Sequence, residues 1–520
     1  MELAEKTSEV LVAQQETDTR PGLARAAVAA LLVSIPLFMT NKYFNITLSK
    51  FLCFAIISAV SFVLSFTLRP EDAPSVKRKD LRSTDIAVYG FLISSVISAL
   101  LSEFTADALL GSSGRCMGVI FVLILCGIYT VITRHYKLKK TELIAYMSVF
   151  VIVMLVAFMQ FFGVNVLGLY NNVSQQTIEN YYSTIGNINV VSSYICLCLP
   201  FIMYICCKAT KTVNFILLFI LSFAGFCFLV IVNSDSGYLG MLAAFCAVGF
   251  FTAVDNRRHY RLLLLASAFL FSLKLMYYIA MKSNLQTKAL SPLAIALGES
   301  PVITGGAVLL LLLSVAFLKI RLNGALERIA KFCFAALPFV FVAVLFVVIY
   351  YFTVVNTEAE LGFFEGYLRF NDKWATGRGQ IWRITLEAYA DMPLFGKLFG
   401  CGPDSLLLLL NKNHSSVMES MGALTDNAHN EFMNYLVNHG IVGLGFYIAI
   451  LVTCLKKCLQ LSKNSEFHKG LFAVIVTYAF QSVVNISQPL TTPYFFILMF
   501  IGCCEYEKRI KKTVTDEIKV

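Results

Sequence analysis

The sequence predicts an all-α polytopic integral membrane protein with about 14 transmembrane helices and one long external loop containing short amphipathic helices. Three observations predict it. First, 58% of the 520 residues are hydrophobic and only 14% charged, with a mean hydropathy of +0.73, whereas soluble domains are roughly half apolar and a quarter charged. Second, the apolar residues come in runs of roughly 17 to 22, the length that crosses a ~30 Å hydrocarbon core. Third, Lys and Arg concentrate in alternate connectors. Together these exclude a soluble enzyme, a secreted disulfide scaffold and a nucleic-acid binder, and they make the net charge of +10 a topology signal.

Residues 1–23 form a polar segment carrying both signs of charge. No basic stretch leads into a small-residue cleavage site, so no signal peptide is read. Eleven apolar spans follow within 24–352, near 24–40, 51–68, 84–102, 116–133, 141–161, 189–206, 212–232, 238–254, 262–280, 301–318 and 332–352. A large external loop occupies 353–430. Three more spans fall near 431–455, 470–487 and 491–504, before a tail at 505–520. Thirty of the 42 Lys and Arg residues, counting Arg25 at the very start of the first span, lie on the side assigned to the cytoplasm. The other connectors are poor in charge except for the long loop. Positive-inside bias therefore puts both termini in the cytoplasm and requires an even number of spans. Lys274 falls within a span and receives no role.

Most of the 15 cysteines lie in or beside apolar spans, where Cys behaves as a small hydrophobe. No spacing suggests a disulfide framework or a zinc site. No internal repeat or low-complexity tract is visible, so the organisation is one membrane domain with one external insertion.

The loop 353–430 carries most of the external charge. A connector this long is usually functional or disordered, and Trp374, Trp382, Phe363, Phe364, Phe370, Phe395 and Phe399 give it enough apolar mass to pack on the membrane or on itself. The stretch from Thr376 to Ala390 reads as a helix with Thr376 as N-cap, stopped by Met392-Pro-Leu-Phe-Gly396. Arg378, between two glycines at the helix mouth, has a guanidinium and free backbone N–H groups that suit one phosphate or pyrophosphate. The plainer alternative is an interfacial amphipathic helix anchored by Arg and Trp.

The loop ends in Asp426-Asn-Ala-His-Asn430 and enters the next span. Asn430, Asn434 and Asn438 recur at every fourth residue and share one helix face, so their amides face protein or a wet cavity rather than lipid. His429 is the side chain best suited to proton transfer near neutral pH; its plainer reading is a surface histidine at a helix start. Asn187 and Asn189 open the sixth span, Asn233 to Ser236 form a tight outer turn, and Gln481, Asn485 and Gln488 lie along the thirteenth span. Helix–helix hydrogen bonding is the commoner explanation for each alone. Arg115, after Gly111-Ser-Ser-Gly114, is a further external cation or a simple anchor.

These residues resemble the O-antigen ligase and polymerase family of bacterial envelope polysaccharide assembly. The resemblance rests on Gly111 to Gly118, on Gly186 to Tyr194, and most strongly on Gly377-Arg-Gly-Gln-Ile-Trp382, Pro393-Leu-Phe-Gly396, Gly400-Cys-Gly402, His429-Asn430 and Gly440-Ile-Val-Gly443. It spans roughly residues 100–445. It implies a membrane glycosyltransferase at the outer face of the bacterial cytoplasmic membrane, transferring or polymerising glycan from undecaprenyl pyrophosphate onto an acceptor glycan or lipid. By resemblance Arg378 holds the donor pyrophosphate and His429 activates the acceptor, while Arg115, Arg383, Asn187, Asn430, Asn434 and Asn438 are candidates for substrate binding. No cofactor, metal or nucleic acid is implied. Members often carry Ser-Arg-Gly where this chain has Asp235-Ser-Gly237, so a second arginine is missing there; Arg115 or Arg383 supplies that charge, or the donor geometry differs. A flippase for the same lipid-linked glycan is the alternative, although no paired halves, as such transporters commonly show, are visible.

Overall fold

A computed structural model describes residues 18–69, 81–111, 115–253, 259–282, 288–319, 324–420 and 427–506. Residues 1–17 of the expected N-terminal segment, 507–520 of the tail, Ser112 to Gly114 of the early turn, and Asp426 lie outside these residues.

The chain is all-α and polytopic. Its only strands among the described residues are a two-residue antiparallel pair, Tyr181–Tyr182 with Gly186–Asn187. Among the described residues ten helices are long and apolar enough to cross a membrane, and Pro292–Glu299 with Pro301–Phe317 make an eleventh candidate bent by 64°. Pro301 explains the bend, since its ring suits the first turn of a new helix but not the interior of a continuous one. Three spans expected at 116–133, 238–254 and 491–504 are shorter apolar helices, Val119–His135, Ser236–Thr252 and Thr492–Gly502.

The helices divide by what covers them. Ile188–Lys208 lies at the centre, with every residue from Val190 to Tyr204 buried. The Thr212–Ile231, Ser236–Thr252 and Glu466–Gln481 helices pack around it, and small residues admit them: an added Cβ at Gly240 or Gly470 would overlap Cys196 or Phe201. Close approach through small residues is how helices associate when lipid offers no hydrophobic contrast. Thr492–Gly502 is buried along its whole length. Gly324–Tyr350 is the opposite case: Pro338 is its one buried residue, and a band of Phe, Val and Leu faces outward. An apolar helix so little covered by protein matches a lipid-facing position.

Polar residues at one end of this bundle join it together. Gln481 Nε2 donates to Ser236 Oγ at 3.0 Å, and Ser193 Oγ donates to Gln481 Oε1 at 3.1 Å. Asn485 Nδ2 donates to Ser193 Oγ and to the Asn189 carbonyl, both at 2.9 Å, while Ser234 Oγ donates to Asn189 Oδ1 at 2.9 Å. The polar groups noted separately in the sixth, seventh-to-eighth and thirteenth regions of the sequence thus form one network. Lys274 donates to the Glu299 carbonyl at 3.3 Å.

Candidate functional site

The long loop folds on itself into short helices and docks on the membrane helix that follows it. Ile384, Ala388, Met392, Leu406, Leu410, Ala428 and Val437 form its core. The helix carrying Arg378 and the residue preceding His429 therefore belong to one packed unit.

Docking depends on two glycines at a point where helix Glu431–Leu461 breaks. Gly440 takes φ 67° and ψ −177°, and Gly400 takes φ 87°. A Cβ on Gly440 would sit 2.2 Å from the Leu398 carbonyl oxygen, and one on Gly400 2.3 Å from that of Asn438. Side chains are thus excluded by backbone conformation and by space. Across this contact Cys401 N donates to the Val437 carbonyl at 2.9 Å and Gly402 N to that of Asn438 at 3.2 Å. Asn438 Oδ1 accepts from both Ser405 N and Leu406 N at 2.9 Å, capping the Leu406–Asn413 helix.

Arg378 follows three consecutive left-handed residues, Ala375, Thr376 and Gly377, at φ 47°, 64° and 92°. This corrects the expected capped helix start. Thr376 is not the N-cap: its hydroxyl donates to the Ala375 carbonyl and accepts from Arg378 Nη1 at 3.1 Å. Arg378 Nη1 also donates to the Ala375 carbonyl at 2.8 Å. The guanidinium thereby braces a turn that non-glycine residues seldom adopt, a form of local strain that concentrates at functional sites. Trp374 and Trp382, with ring centroids 5.1 Å apart, pack in the same turn region.

Asp235 is the acidic neighbour of this cation, one residue before Ser236, where a second arginine was expected. Its Oδ2 accepts from Tyr367 Oη at 2.7 Å. Burial pushes the Asp235 carboxyl above its usual range, against the pull of Tyr367, Arg378 and the Ser291 hydroxyl. Burial likewise lowers Arg378 from the usual guanidinium value, and Asp235 and Tyr367 oppose that shift.

His429 adopts φ 49°. Its backbone N–H donates to Asn427 Oδ1 at 2.9 Å, and Asn430 Oδ1 accepts from Met433 N at 3.1 Å as N-cap of Glu431–Leu461. Two asparagine side chains thus fix the turn that presents the imidazole. A left-handed histidine is one of the few tolerable non-glycine choices here.

The remaining candidates separate. Asn434 Nδ2 lies 3.5 Å from Ser487 Oγ, and Asn434, Asn438, His439 and Asp404 line a cavity of about 20 Å³, room for one water. Arg115 is buried beside that cavity: Nη2 donates to the Ser487 carbonyl at 2.6 Å, and Nε lies 3.7 Å from Asp404 Oδ1. Arg383 is half exposed and engaged on the surface, 3.0 Å from Asp372 and 3.2 Å from Glu387. Asn187 caps Ile188–Lys208, accepting from Asn189 N at 2.9 Å. The structure therefore joins Arg115 to the cavity of Asn434 and Asn438, and leaves Arg383 and Asn187 with local partners.

Sequence reasoning missed three acids. Asp235 was read only as part of a turn, Asp404 was not singled out, and Glu431 was passed over although it follows His429-Asn430 directly. Glu431 is 0% exposed, with the Tyr447 and Tyr478 hydroxyls beside its carboxyl. Among the described residues no three His, Cys, Asp or Glu side chains gather closely enough to hold a metal ion.

The fold and this loop define a multi-pass membrane protein with a braced arginine and a constrained histidine on one docked insertion. Residues 287–448 match the O-antigen ligase family model. Over that stretch, under half of the chain, the sequence is similar to the O-antigen ligase family, in line with the resemblance read from residues 100–445. The matched stretch contains Arg378, Arg383, His429, Asn430, Asn434 and Asn438, but neither Arg115 nor Asn187. No curated protein matches the chain.

Proposed function

We propose that the protein is a glycosyltransferase that transfers or polymerises glycan from undecaprenyl pyrophosphate at the outer face of the bacterial cytoplasmic membrane. The observation that carries this reading is the coincidence of Arg378 and His429 within the matched stretch and on one packed loop. In the proposed reaction the anomeric carbon–oxygen bond to the pyrophosphate breaks as the acceptor hydroxyl oxygen bonds to that carbon. His429 takes the hydroxyl proton. Negative charge collects on the departing lipid pyrophosphate, and Arg378 stabilises it in a shielded setting where a fixed cation is most effective. Neither a nucleotide nor a metal enters this scheme.

The three short apolar helices complete fourteen spans in this reading, with membrane helices in 24–352 and 431–504, cytoplasmic segments at 1–23 and 505–520, and the insertion 353–430 outside. An outward insertion lets the prenyl chain remain in lipid while the sugar reaches the loop. Arg115 and Asn434 are proposed to shape the acceptor side, and Asn430 and Asn438 to hold the histidine and the loop in place. Arg383 and Asn187 stand at its edges.

Purified protein in liposomes, given an undecaprenyl-pyrophosphate-linked repeat unit, tests the proposal. Release of undecaprenyl pyrophosphate with lengthened or transferred glycan is expected. Movement of an unchanged lipid-linked glycan between leaflets would instead identify a flippase.

A further inference from the structure

The turn 233–235, the Glu365–Leu368 helix and the Arg378 turn bring an acid, a phenol and a cation together. Asp235 Oδ1 and Arg378 Nε are both shielded from solvent, and neither makes a well-formed hydrogen bond among the described residues, although the Ser291 hydroxyl stands beside the Asp235 carboxyl. Asp235 opposes the lowering of Arg378 by burial, and the two side chains do not close into an ion pair. Tyr367 meanwhile fixes the carboxylate through Oδ2 at 2.7 Å, which orients the second oxygen. A shielded acceptor and a shielded donor left open in one place cost free energy, and a ligand that satisfies both recovers it. Phosphate oxygens satisfy Arg378 but offer Asp235 nothing, because Asp235 needs a donor. The nearest donors on a glycosyl pyrophosphate are O–H or amide N–H groups of the sugar bearing the phosphate.

Resting on the reading above, we infer that Asp235 determines donor specificity, its Oδ1 accepting a hydrogen bond from a hydroxyl or amide N–H on the sugar attached to the phosphate that Arg378 holds. Tyr367 is its positioning residue. A site built to satisfy a sugar donor discriminates strongly against a ligand lacking one, since the acceptor is then left unpaired.

The test uses full-length protein in lipid nanodiscs and two probes: undecaprenyl pyrophosphate bearing the organism's repeat unit, and undecaprenyl pyrophosphate without sugar. Asp235→Ala is expected to weaken binding of the sugar-bearing lipid by roughly ten- to a hundred-fold, while the sugar-free lipid binds as well as before or better. Asp235→Asn keeps the shape and guards against misfolding, and Tyr367→Phe is expected to show the same selectivity at smaller size. Arg378→Ala weakens both lipids. Equal loss of both lipids in Asp235→Ala, or loss of neither, overturns the inference while leaving the donor site standing. Wild-type protein that binds neither lipid overturns the donor site and the inference with it.

Discussion

Asn438→Ala separates a structural amide from a substrate-binding one. Asn438 is 2% exposed, and its Oδ1 accepts from two backbone N–H groups, Ser405 and Leu406, at 2.9 Å each. Truncation leaves both donors buried and unpaired at about 1–3 kcal/mol apiece, or roughly 2–6 kcal/mol if the loop does not rearrange. That energy is lost at the contact holding the insertion on the membrane helices. The chain has 2 tryptophans, Trp374 and Trp382, and both lie in the insertion, so their emission reports its docking while circular dichroism reports the helices as a whole. In detergent, Asn438→Ala should lower the tryptophan transition by on the order of 5 °C or more, with a smaller change in the helical signal. Asn438→Asp retains the acceptor at a helix N-terminus, where negative charge is favoured, and should restore most of the loss. An unchanged tryptophan transition, with activity lost, would refute the reasoning and assign the amide to substrate.

Three further substitutions follow from the same geometry. Gly440→Ala must accept φ 67° with ψ −177°, a region essentially confined to glycine, at about 1–3 kcal/mol, and the overlap with the Leu398 carbonyl besides; red-shifted tryptophan emission at room temperature is expected. Asp404→Ala breaks a pair whose side chains are only 5% and 6% exposed, so a loss of about 3–5 kcal/mol should appear as reduced folded yield, checked by size-exclusion chromatography. Arg383→Ala removes exposed surface pairs worth under about 1 kcal/mol, and should leave both melting and glycan transfer near wild type.

Much of this architecture was legible in the sequence, because membrane spans are written in composition. Length and hydropathy located the helices, including the buried Ile188–Lys208, but could not reveal which of them meet lipid. Gly324–Tyr350 and Thr492–Gly502 are both strongly apolar, yet one is bare and the other enclosed. The loop was legible as a packed insertion because its aromatics give it enough apolar mass to fold on itself, as its core shows. Its conformation was hidden: Ala375 and Thr376 give no local signal for left-handed backbone, which the brace from Arg378 and the surrounding packing impose. Asp235 was obscured for a related reason, since its partners Tyr367 and Arg378 lie more than a hundred residues away in sequence. The regular spacing of Asn430, Asn434 and Asn438 suggested one shared role, whereas each amide is drawn to a different partner by the unwinding at Gly440 and the helix start at Glu431.

The central claim is that Arg378 and His429 carry out glycan transfer from a lipid pyrophosphate. It is tested most directly in a deletion strain rescued with wild type, Arg378→Ala or His429→Ala, with surface polysaccharide and lipid-linked intermediates resolved by size. Both variants should insert at normal levels and fail to restore the polysaccharide. Single repeat units on lipid would mark a polymerase, and long lipid-linked chains without their final acceptor a ligase. Normal polysaccharide from either variant would contradict the account.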